Sequence, residues 1–389
     1  MTRLAGLLGL VLAGWLFASV ASLEHLSDAT GYLYATSALL AVGLYGSTYG
    51  IDLPGARRDR RLIMLAVTVG VLLKAVLIGG ALALAFRDPL FLILGVVVSQ
   101  IDPLSVAAIM GDQRMSPRAR TILAAWASFD DPVSLVLAVY ATAVATVTFG
   151  LGQELPQGLH VGTGLWRVFV DLAANLLFAA VAYGLWRAGG RDRWRWWAYA
   201  LLAAVAVVAV WQFLMLGLAI AGLFLRPAGI NGVLPRLTQW ALAAAALLLG
   251  ALLVGGVRLG AGAALGAAAF LSQIVAALVL ARALPGRDRF HLALAQQNGI
   301  TAVILALRLE AQFVGVVAVV APAILTTNAL YLVANPLADR VAARVAARRR
   351  RRAGPPRPAP AGITAVGLGN DGGHADPAHR PGPGQPDSR

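Results

Sequence analysis

Two adjacent carboxylates lie inside an apolar stretch of the chain, in the segment WASFDDPVSL at residues 126–135. Asp130 and Asp131 precede Pro132, and most of the side chains around them are apolar. An aspartate at the centre of a membrane helix costs about 2.5–3.5 kcal/mol on insertion scales, so such a residue indicates function by default. A carboxylate can take up a proton or supply hard oxygen ligands to a cation, and the pair predicts that chemistry.

A second polar cluster lies in the preceding apolar segment, VVVSQIDPLSV. Its polar side chains are Ser99, Gln100 and Asp102. Pro103 has no N–H and disfavours helical geometry in the residue before it, so we expect the helix to break there. Pro132 similarly frees the carbonyl of Ser128 beside the aspartate pair. Exposed backbone at mid-membrane is tolerated only where it lines a cavity or is covered by protein.

A third polar cluster, in ALAQQNGITAVILAL, predicts another broken helix. Its members are Gln296, Gln297, Asn298 and Gly299. Two broken helices that run in opposite directions, seven spans apart, are typical of an inverted repeat. The repeat would pair residues 62–149 with 259–335, and would place Lys74 opposite Gln273. Crossed breaks present helix dipole ends and free carbonyls, which suit a small monovalent cation.

Lys74 is the one lysine among 32 basic residues, and it lies inside the apolar run LAVTVGVLLKAVLIGGALAL. A buried lysine can lose its proton, whereas arginine effectively cannot. We therefore expect Lys74 to be a charge partner of Asp130 that is released when a cation binds. The alternative is an ammonium group that merely reaches a water-filled crevice.

The composition indicates the elements that position these residues. The chain has 389 residues, of which 59% are hydrophobic and 13% charged, and its mean hydropathy is +0.74. Soluble domains average about 45–50% apolar residues and about 25% charged ones. Apolar runs of about 20 residues, each long enough to cross a bilayer, recur along the chain. They predict twelve spans, at about 5–22, 31–50, 62–86, 89–110, 119–149, 163–186, 196–211, 213–226, 235–257, 259–283, 288–309 and 312–335.

The arginines predict the orientation of these spans. They concentrate in every second connection and in the tail, so the positive-inside rule places both termini in the cytoplasm and the chain in the plasma (inner) membrane. The N-terminal segment also resembles a signal peptide, but we expect it to be retained as a helix. Residues 1–340 form the predicted transmembrane domain. Residues 341–389, which are basic and rich in Pro and Gly, form a predicted disordered tail. Its run Arg348–Arg352 is a positive stop or a contact for anionic lipid headgroups.

Several classes of site are excluded or disfavoured. The chain has no cysteine, which excludes disulfides and thiolate chemistry, and its five histidines have no ligand spacing, so we expect no resident metal and no cofactor. The net charge of +14 lies in short connections and in the tail, where it sets membrane orientation, so nucleic acid is not an expected partner.

The motifs resemble those of the monovalent cation:proton antiporter superfamily, the sodium/proton exchangers. SQIDPLSVAAIM is similar to its "(S/T)xxDP" segment, WASFDDPVSLVL to the "NDPV" or "DD" segment of the next helix, and ALAQQNGITAVILAL more weakly to "GxRGxxxLAL". The resemblance covers roughly residues 30–340. It implies an all-α polytopic fold with crossed, discontinuous helices, and homodimers that exchange Na⁺, K⁺ or Li⁺ for H⁺ in pH homeostasis.

The resemblance also implies roles for single residues. Asp131 would bind a cation or a proton in turn, and Asp102 would shape the site. Asp130 stands where electrogenic members have Asp and electroneutral members have Asn. The chain departs from the family at Trp126, where many electroneutral members have Glu, and at Gln273, where the partner Arg of that Glu is expected.

Further departures concern the positive charges of the family. Asn298 replaces the Arg of "xRG", and the usual lysine of span 10 is missing, so Lys74 would supply a charge from the symmetry-related helix. The paired aspartates favour electrogenic exchange, whereas the missing span-10 lysine speaks against it.

Three other functions remain open from the sequence. One is an ion-coupled symporter of organic anions on a similar scaffold, another is a channel, and the third is an intramembrane aspartyl protease. Adjacent residues on one helix point about 100° apart, so Asp130 and Asp131 cannot form a protease dyad, although Asp102 with Asp131 could.

Overall fold

The computed structural model of the protein describes residues 2–21, 26–51, 53–102, 106, 114–151, 165–189, 195–227 and 229–353. The regular secondary structure of these ranges is helical throughout. The chain divides into two units, Met1–Asp339 and Arg340–Arg389. The helices, in chain order, are α1 (Thr2–Ala21), α2 (Thr30–Tyr49), α3 (Leu53–Arg58), α4 (Arg60–Leu65), α5 (Val71–Phe86), α6 (Leu90–Ser99), α7 (Pro117–Phe149), α8 (Leu165–Ala188), α9 (Arg195–Trp211), α10 (Met215–Ala221), α11 (Leu234–Leu252), α12 (Leu259–Leu280), α13 (Gly286–Ala293), α14 (Ile300–Glu310) and α15 (Val316–Ala353).

Each of the twelve predicted spans overlaps at least one helix, and the eleventh overlaps the two halves of a broken helix. By length and composition, six helical segments of the described residues could cross a membrane: Arg60–Phe86, Pro117–Thr146, Phe169–Ala188, Ile230–Gly255, Leu259–Leu280 and Val316–Arg340. Leu8–Ala21, Leu90–Ser99 and Trp196–Trp211 are shorter apolar helices. The chain is a multi-pass membrane protein.

The structure corrects the prediction that residues 213–226 form a transmembrane span. Its helix α10 has only seven residues and is followed by turns. Seven residues rise about 10 Å, a third of the hydrocarbon thickness, so α10 cannot cross a membrane alone. Gly222 follows α10 and lies so close to α2 that a Cβ atom there would be 2.2 Å from Oγ1 of Thr48. The chain then reaches Pro227, which cannot donate a helical hydrogen bond.

The last helix extends further than the sequence predicts. α15 continues to Ala353, so residues 341–353 of the predicted disordered tail are helical. The sequence VAARVAARRRRRA consists largely of alanine and arginine, which are among the best helix formers, and this propensity accounts for the difference. The remainder of the predicted tail, residues 354–389, lies outside the described residues.

Two interrupted helices lie at the positions where the sequence predicts breaks. In the first, α6 ends at Ser99, Gln100 is extended, and residues 101 and 102 are not helical; Pro103 itself lies outside the described residues. In the second, α13 ends at Ala293 and α14 begins at Ile300. Each interrupted helix follows one long helix and precedes another, so the order α5, α6, α7 recurs as α12, α13–α14, α15.

Glycines allow close contact between the helices that carry the two breaks. A Cβ atom on Gly95 of α6 would lie 2.5 Å from the backbone nitrogen of Gly79 in α5. Gly262 and Gly266 of α12 likewise contact the backbone of α15, where a Cβ atom would lie 2.6 Å and 2.4 Å from carbonyl oxygens of Val319 and Ala323. Small residues of this kind let membrane helices approach closely, and here they bring α6 against α5 and α12 against α15.

Candidate functional site

Asp131 lies near the middle of α7, and only 1% of its surface is exposed. Oγ1 of Thr301, in the first turn of α14, donates a hydrogen bond to its Oδ2 at 2.9 Å. The hydroxyl of Ser47 on α2 is within hydrogen-bonding reach, and the carboxylates of Asp102 and Asp130 are close enough to repel its negative charge. The carboxylate therefore has polar neighbours from four elements but no cation against it within the described residues.

Asp130 is held differently from its neighbour. Its Oδ2 lies 3.0 Å from Nζ of Lys74 on α5, and neither side chain is exposed to solvent. The same oxygen accepts a hydrogen bond from the backbone N–H of Ile101, in the first break, at 3.0 Å. The structure therefore divides the pair: Asp130 is paired with a buried cation, and Asp131 faces other acids.

Trp126 forms the other side of the lysine site. It precedes Asp130 by four residues on α7, so both side chains lie on one face of the helix. Nζ of Lys74 lies 5.4 Å from the centre of the Trp126 ring, within the range of a cation–π interaction. A short π-helical segment, Ala66–Gly70, precedes α5, and Gly70 leaves room for the indole, which a Cβ atom would approach to 3.3 Å.

The two breaks are hydrogen-bonded to each other. The N–H of Asp102, which would donate to Val98 in a continuous helix, donates instead to the carbonyl of Gln297 at 2.9 Å. The carbonyls that the first break frees accept side-chain amides from the second. Nδ2 of Asn298 donates to Val98 at 3.0 Å, and Nε2 of Gln296 donates to Gln100 at 2.8 Å. Each interruption thus satisfies polar backbone groups of the other, which membrane-embedded backbone requires.

Gly299 is the point of closest contact between the breaks. A Cβ atom at this residue would lie 2.1 Å from Cγ of Asp102 and no more than 2.5 Å from either carboxylate oxygen. The Asp102 carboxylate therefore packs directly against the Gly299 backbone, at the N-terminus of α14. A helix N-terminus carries partial positive charge, which stabilises a carboxylate placed there.

We expect Gly299→Ala to displace Asp102 and to inhibit transport strongly. The added methyl cannot coexist with the carboxylate at 2.1 Å, and overpacking of this kind costs about 1–3 kcal/mol. The change should lower both the unfolding temperature of the purified protein and its transport rate. Gly260→Ala is the matched control, because a Cβ atom at Gly260 of α12 meets nothing within 4 Å. Equal activity of the two variants would contradict this packing.

The remaining predicted site residues are all buried or partly buried, but they differ in their contacts. Ser128 lies on α7 without a hydrogen bond to either aspartate in the described part of the chain. Ser99 donates back to Val96 of its own helix at 2.8 Å, and Gln100 donates to Val97 at 3.0 Å. Gln273 of α12 donates to the carbonyl of Leu292, at the end of α13, at 3.1 Å.

Several contacts were not predicted from the sequence. Thr301 and Ser47, the hydroxyl neighbours of Asp131, lie on elements distant in sequence, so no local pattern marks them. The side chain of Asn328, on α15, forms two hydrogen bonds with the backbone of Asn298. Oδ1 of Asn328 accepts from the N–H of Asn298 at 3.2 Å, and Nδ2 of Asn328 donates to the carbonyl of Asn298 at 2.9 Å. Asn328 thus binds the backbone of the second break, as Asp130 binds the backbone of the first at Ile101.

Buried oxygens without a hydrogen-bond donor surround the crossing of the breaks. Within the described residues, these acceptor oxygens are Oδ1 of Asp130, Oδ1 of Asp131, Oδ1 of Asn298, Oε1 of Gln100 and Oε1 of Gln296. Buried acceptors almost always have donors, so unsatisfied oxygens on five residues of the two breaks and the aspartate pair need an explanation. Carboxylate and amide oxygens of this kind suit a hard cation rather than a soft metal.

No family model and no curated protein matches the sequence. Among solved structures, the chain is similar to the sodium proton antiporter MjNhaP1 from Methanocaldococcus jannaschii, with a TM-score of 0.55. The match covers 85% of this chain and 94% of that one, at 14% sequence identity. The chain has the sodium/proton antiporter fold.

The antiporter fold confirms the predicted fold class, an all-α membrane protein with crossed, discontinuous helices. The structural neighbour is a secondary transporter and not an enzyme. At 14% sequence identity the two chains share the course of the backbone, and this similarity assigns no role to the side chains of the site.

Proposed function

We propose that the protein is a secondary antiporter that exchanges a monovalent cation, Na⁺ in the first place or K⁺ or Li⁺, for H⁺. The proposal rests on one observation above all, the donor-free oxygens around Asp131 where the two broken helices cross. A carboxylate buried beside two other acids is unstable as a bare anion, because burial of an uncompensated charge costs several kcal/mol. It therefore needs either a proton or a cation.

Competition for Asp131 couples the two ions. When the carboxylate holds a proton it is neutral, and when it holds a monovalent cation the charge is also balanced. Either occupied state can be carried across in alternating access, whereas the empty state carries a buried charge and is disfavoured. Thr301 and Ser47 orient the carboxylate, and the free amide oxygens of Gln296 and Asn298 offer ligands that replace the hydration shell.

Asp130 and Lys74 set the charge of the site in this proposal. In the proton-loaded state the two residues form the 3.0 Å pair, and a bound cation draws Asp130 toward the site and releases Lys74. Trp126 gives the ammonium group a second favourable contact at 5.4 Å while the pair is broken. Two aspartates with one lysine favour electrogenic exchange.

The membrane, the orientation and the oligomeric state of the exchanger are part of the proposal. We infer a plasma (inner) membrane location with both termini in the cytoplasm, because the arginine-rich connections alternate along the chain. The exchanger would act as a homodimer in pH homeostasis, with membrane lipids around its apolar helices.

Everted membrane vesicles test the proposed activity. Respiration acidifies the interior of such vesicles and quenches a pH-sensitive dye. We expect added Na⁺, K⁺ or Li⁺ to restore the fluorescence in vesicles that contain the protein, since the cation enters as protons leave. Vesicles that contain the Asp131→Asn variant serve as the control.

Failure of all three cations to release the proton gradient would contradict the proposal. If an organic anion were instead accumulated together with an ion, the protein would be a symporter on this scaffold. The relative response to the three salts identifies the transported cation.

A further inference from the structure

A cavity of about 350 Å³ lies between α7, α8, α10 and α14, and its lining residues do not include the polar groups of the two breaks. Its walls include Leu135 and Val139 of α7 together with Leu305 and Leu309 of α14. Ligand pockets in proteins are usually apolar cavities of about 300–1,000 Å³ with a small number of polar groups that fix orientation. This cavity has that size and that apolar lining.

Arg308 is the cationic group of the cavity. Within the described residues its one hydrogen bond joins Nη1 to Oγ of Ser37, at 2.6 Å, and no carboxylate lies within 4.0 Å of it. Its guanidinium also stacks on the ring of Phe213, 4.9 Å from the centroid. A guanidinium has five N–H donors, so most of those on Arg308 have no acceptor in the part of the chain that the structure describes. A membrane-embedded cation without a counter-ion is costly, which favours an anionic ligand.

Two further residues shape the same wall. Gln312 is 8% exposed, lines the cavity, and has a buried Oε1 without a donor. A half-turn of this amide exchanges its oxygen and nitrogen and places an N–H₂ donor at the same position. Phe213 adopts a left-handed backbone conformation, with φ of 57°, which is uncommon for a bulky residue. Asp171 of α8 also lines the cavity, so the ligand must be oriented with its charge toward α14.

We propose that this cavity binds a small organic anion, with its single carboxylate or sulfonate on Arg308 and its compact apolar body against the leucines. The planar guanidinium fork can bind two oxygens of one acid group, as arginine commonly does with carboxylates. The amide of Gln312 donates a further hydrogen bond to the same group. Phe213 and the leucines provide an apolar surface that an inorganic ion would not use.

Thermal unfolding of the purified protein in detergent tests the site without any need for transport activity. Octanoate and benzenesulfonate are the probes, one resembling a membrane-derived fatty acid and the other a soluble aromatic acid, and octanamide and benzenesulfonamide are their neutral counterparts. We expect at least one anion to raise the unfolding temperature in a saturable way, since a ligand that binds only the folded state stabilises it. The neutral counterparts should have no such effect.

Arg308→Gln should weaken the response about tenfold or more, because it removes a charge-assisted bidentate contact. Arg258→Gln is the matched control, since Arg258 lies outside the cavity with its Nη1 3.9 Å from Asp88. If Arg308→Gln does not fold, Gln312→Leu should weaken the same response. Equal responses of wild type and of the folded cavity variants, or no stabilisation up to about 10 mM of either anion, would overturn the proposal. Since the measurement is binding alone, its outcome does not depend on the proposed exchange.

Discussion

Asp131→Asn is expected to reduce cation-dependent proton release to the level of vesicles without the protein. Asparagine has the same shape and can still accept the hydrogen bond from Thr301, so the variant should fold. It carries no ionisable group and therefore cannot alternate between a proton and a cation. Fluorescence recovery in everted vesicles after addition of Na⁺, K⁺ or Li⁺ measures this loss.

The matched control is Asp59→Asn, which removes a carboxylate at the protein surface. Arg118 donates to Asp59 at 2.6 Å and holds the pKa of that carboxyl below its usual value, but this ion pair lies at the end of the helices. Asp59→Asn should leave exchange unchanged. Asp130→Asn should retain exchange but change its dependence on membrane potential. In the proposed function Asp130 sets the net charge of the site, whereas Asp131 couples the cation to the proton. Residual cation-driven proton release in a well-folded Asp131→Asn variant would show that another group carries the proton.

Lys74→Met is expected to destabilise the protein by about 3–5 kcal/mol at neutral pH. Removal of one partner from a buried ion pair leaves the other charge uncompensated, and a destabilisation of this size is typical for such pairs. The loss should shrink at low pH, because a proton on Asp130 then removes the unpaired charge. Unfolding of the purified protein in mixed detergent micelles, repeated across pH, measures both effects.

A double-mutant comparison separates the ion pair from simple packing. Lys74→Met combined with Asp130→Asn removes both charges and should recover most of the lost stability, which a cavity or packing defect would not allow. Arg118→Met breaks the partly exposed pair with Asp59, in which the arginine side chain is half exposed, and should cost about 1 kcal/mol. The pH profile of exchange should shift in Lys74→Met and in Lys74→Gln. An unchanged rate and an unchanged pH profile would exclude Lys74 from the exchange cycle.

The breaks themselves could be predicted from the sequence because their causes are local. Proline at residue 103 removes a donor and constrains the residue before it, and three successive amides before Gly299 compete with helical hydrogen bonds. The spacing of these two segments, seven spans apart, then predicts that the helix order repeats and that the two broken helices run in opposite directions. The pairing of Lys74 with Asp130 was predictable for a different reason, because one buried cation and one extra buried acid each need a partner.

The contacts that complete the site depend on tertiary packing and could not be predicted in the same way. Thr301 looks like an ordinary residue in the first turn of a helix, and Ser47 like a hydroxyl bound to its own helix. The second broken helix brings Thr301 to Asp131, and the packing of α2 against α7 brings Ser47 there. The short helix α10 was also missed, because hydropathy alone does not distinguish a span from an apolar turn that packs on α2. At the other end of the chain, charge and composition suggested disorder where local helix propensity extends α15.

A proton and a cation are expected to compete for the carboxylate of Asp131. The most direct test is the apparent KM for the transported cation, measured in vesicles over a range of pH at fixed membrane potential. Direct competition predicts that KM rises about tenfold for each unit by which the pH falls through the range where the site is protonated, while the maximum rate stays constant. A KM that does not change with pH, combined with a maximum rate that falls, would place the exchanged proton on another group and exclude competition at Asp131.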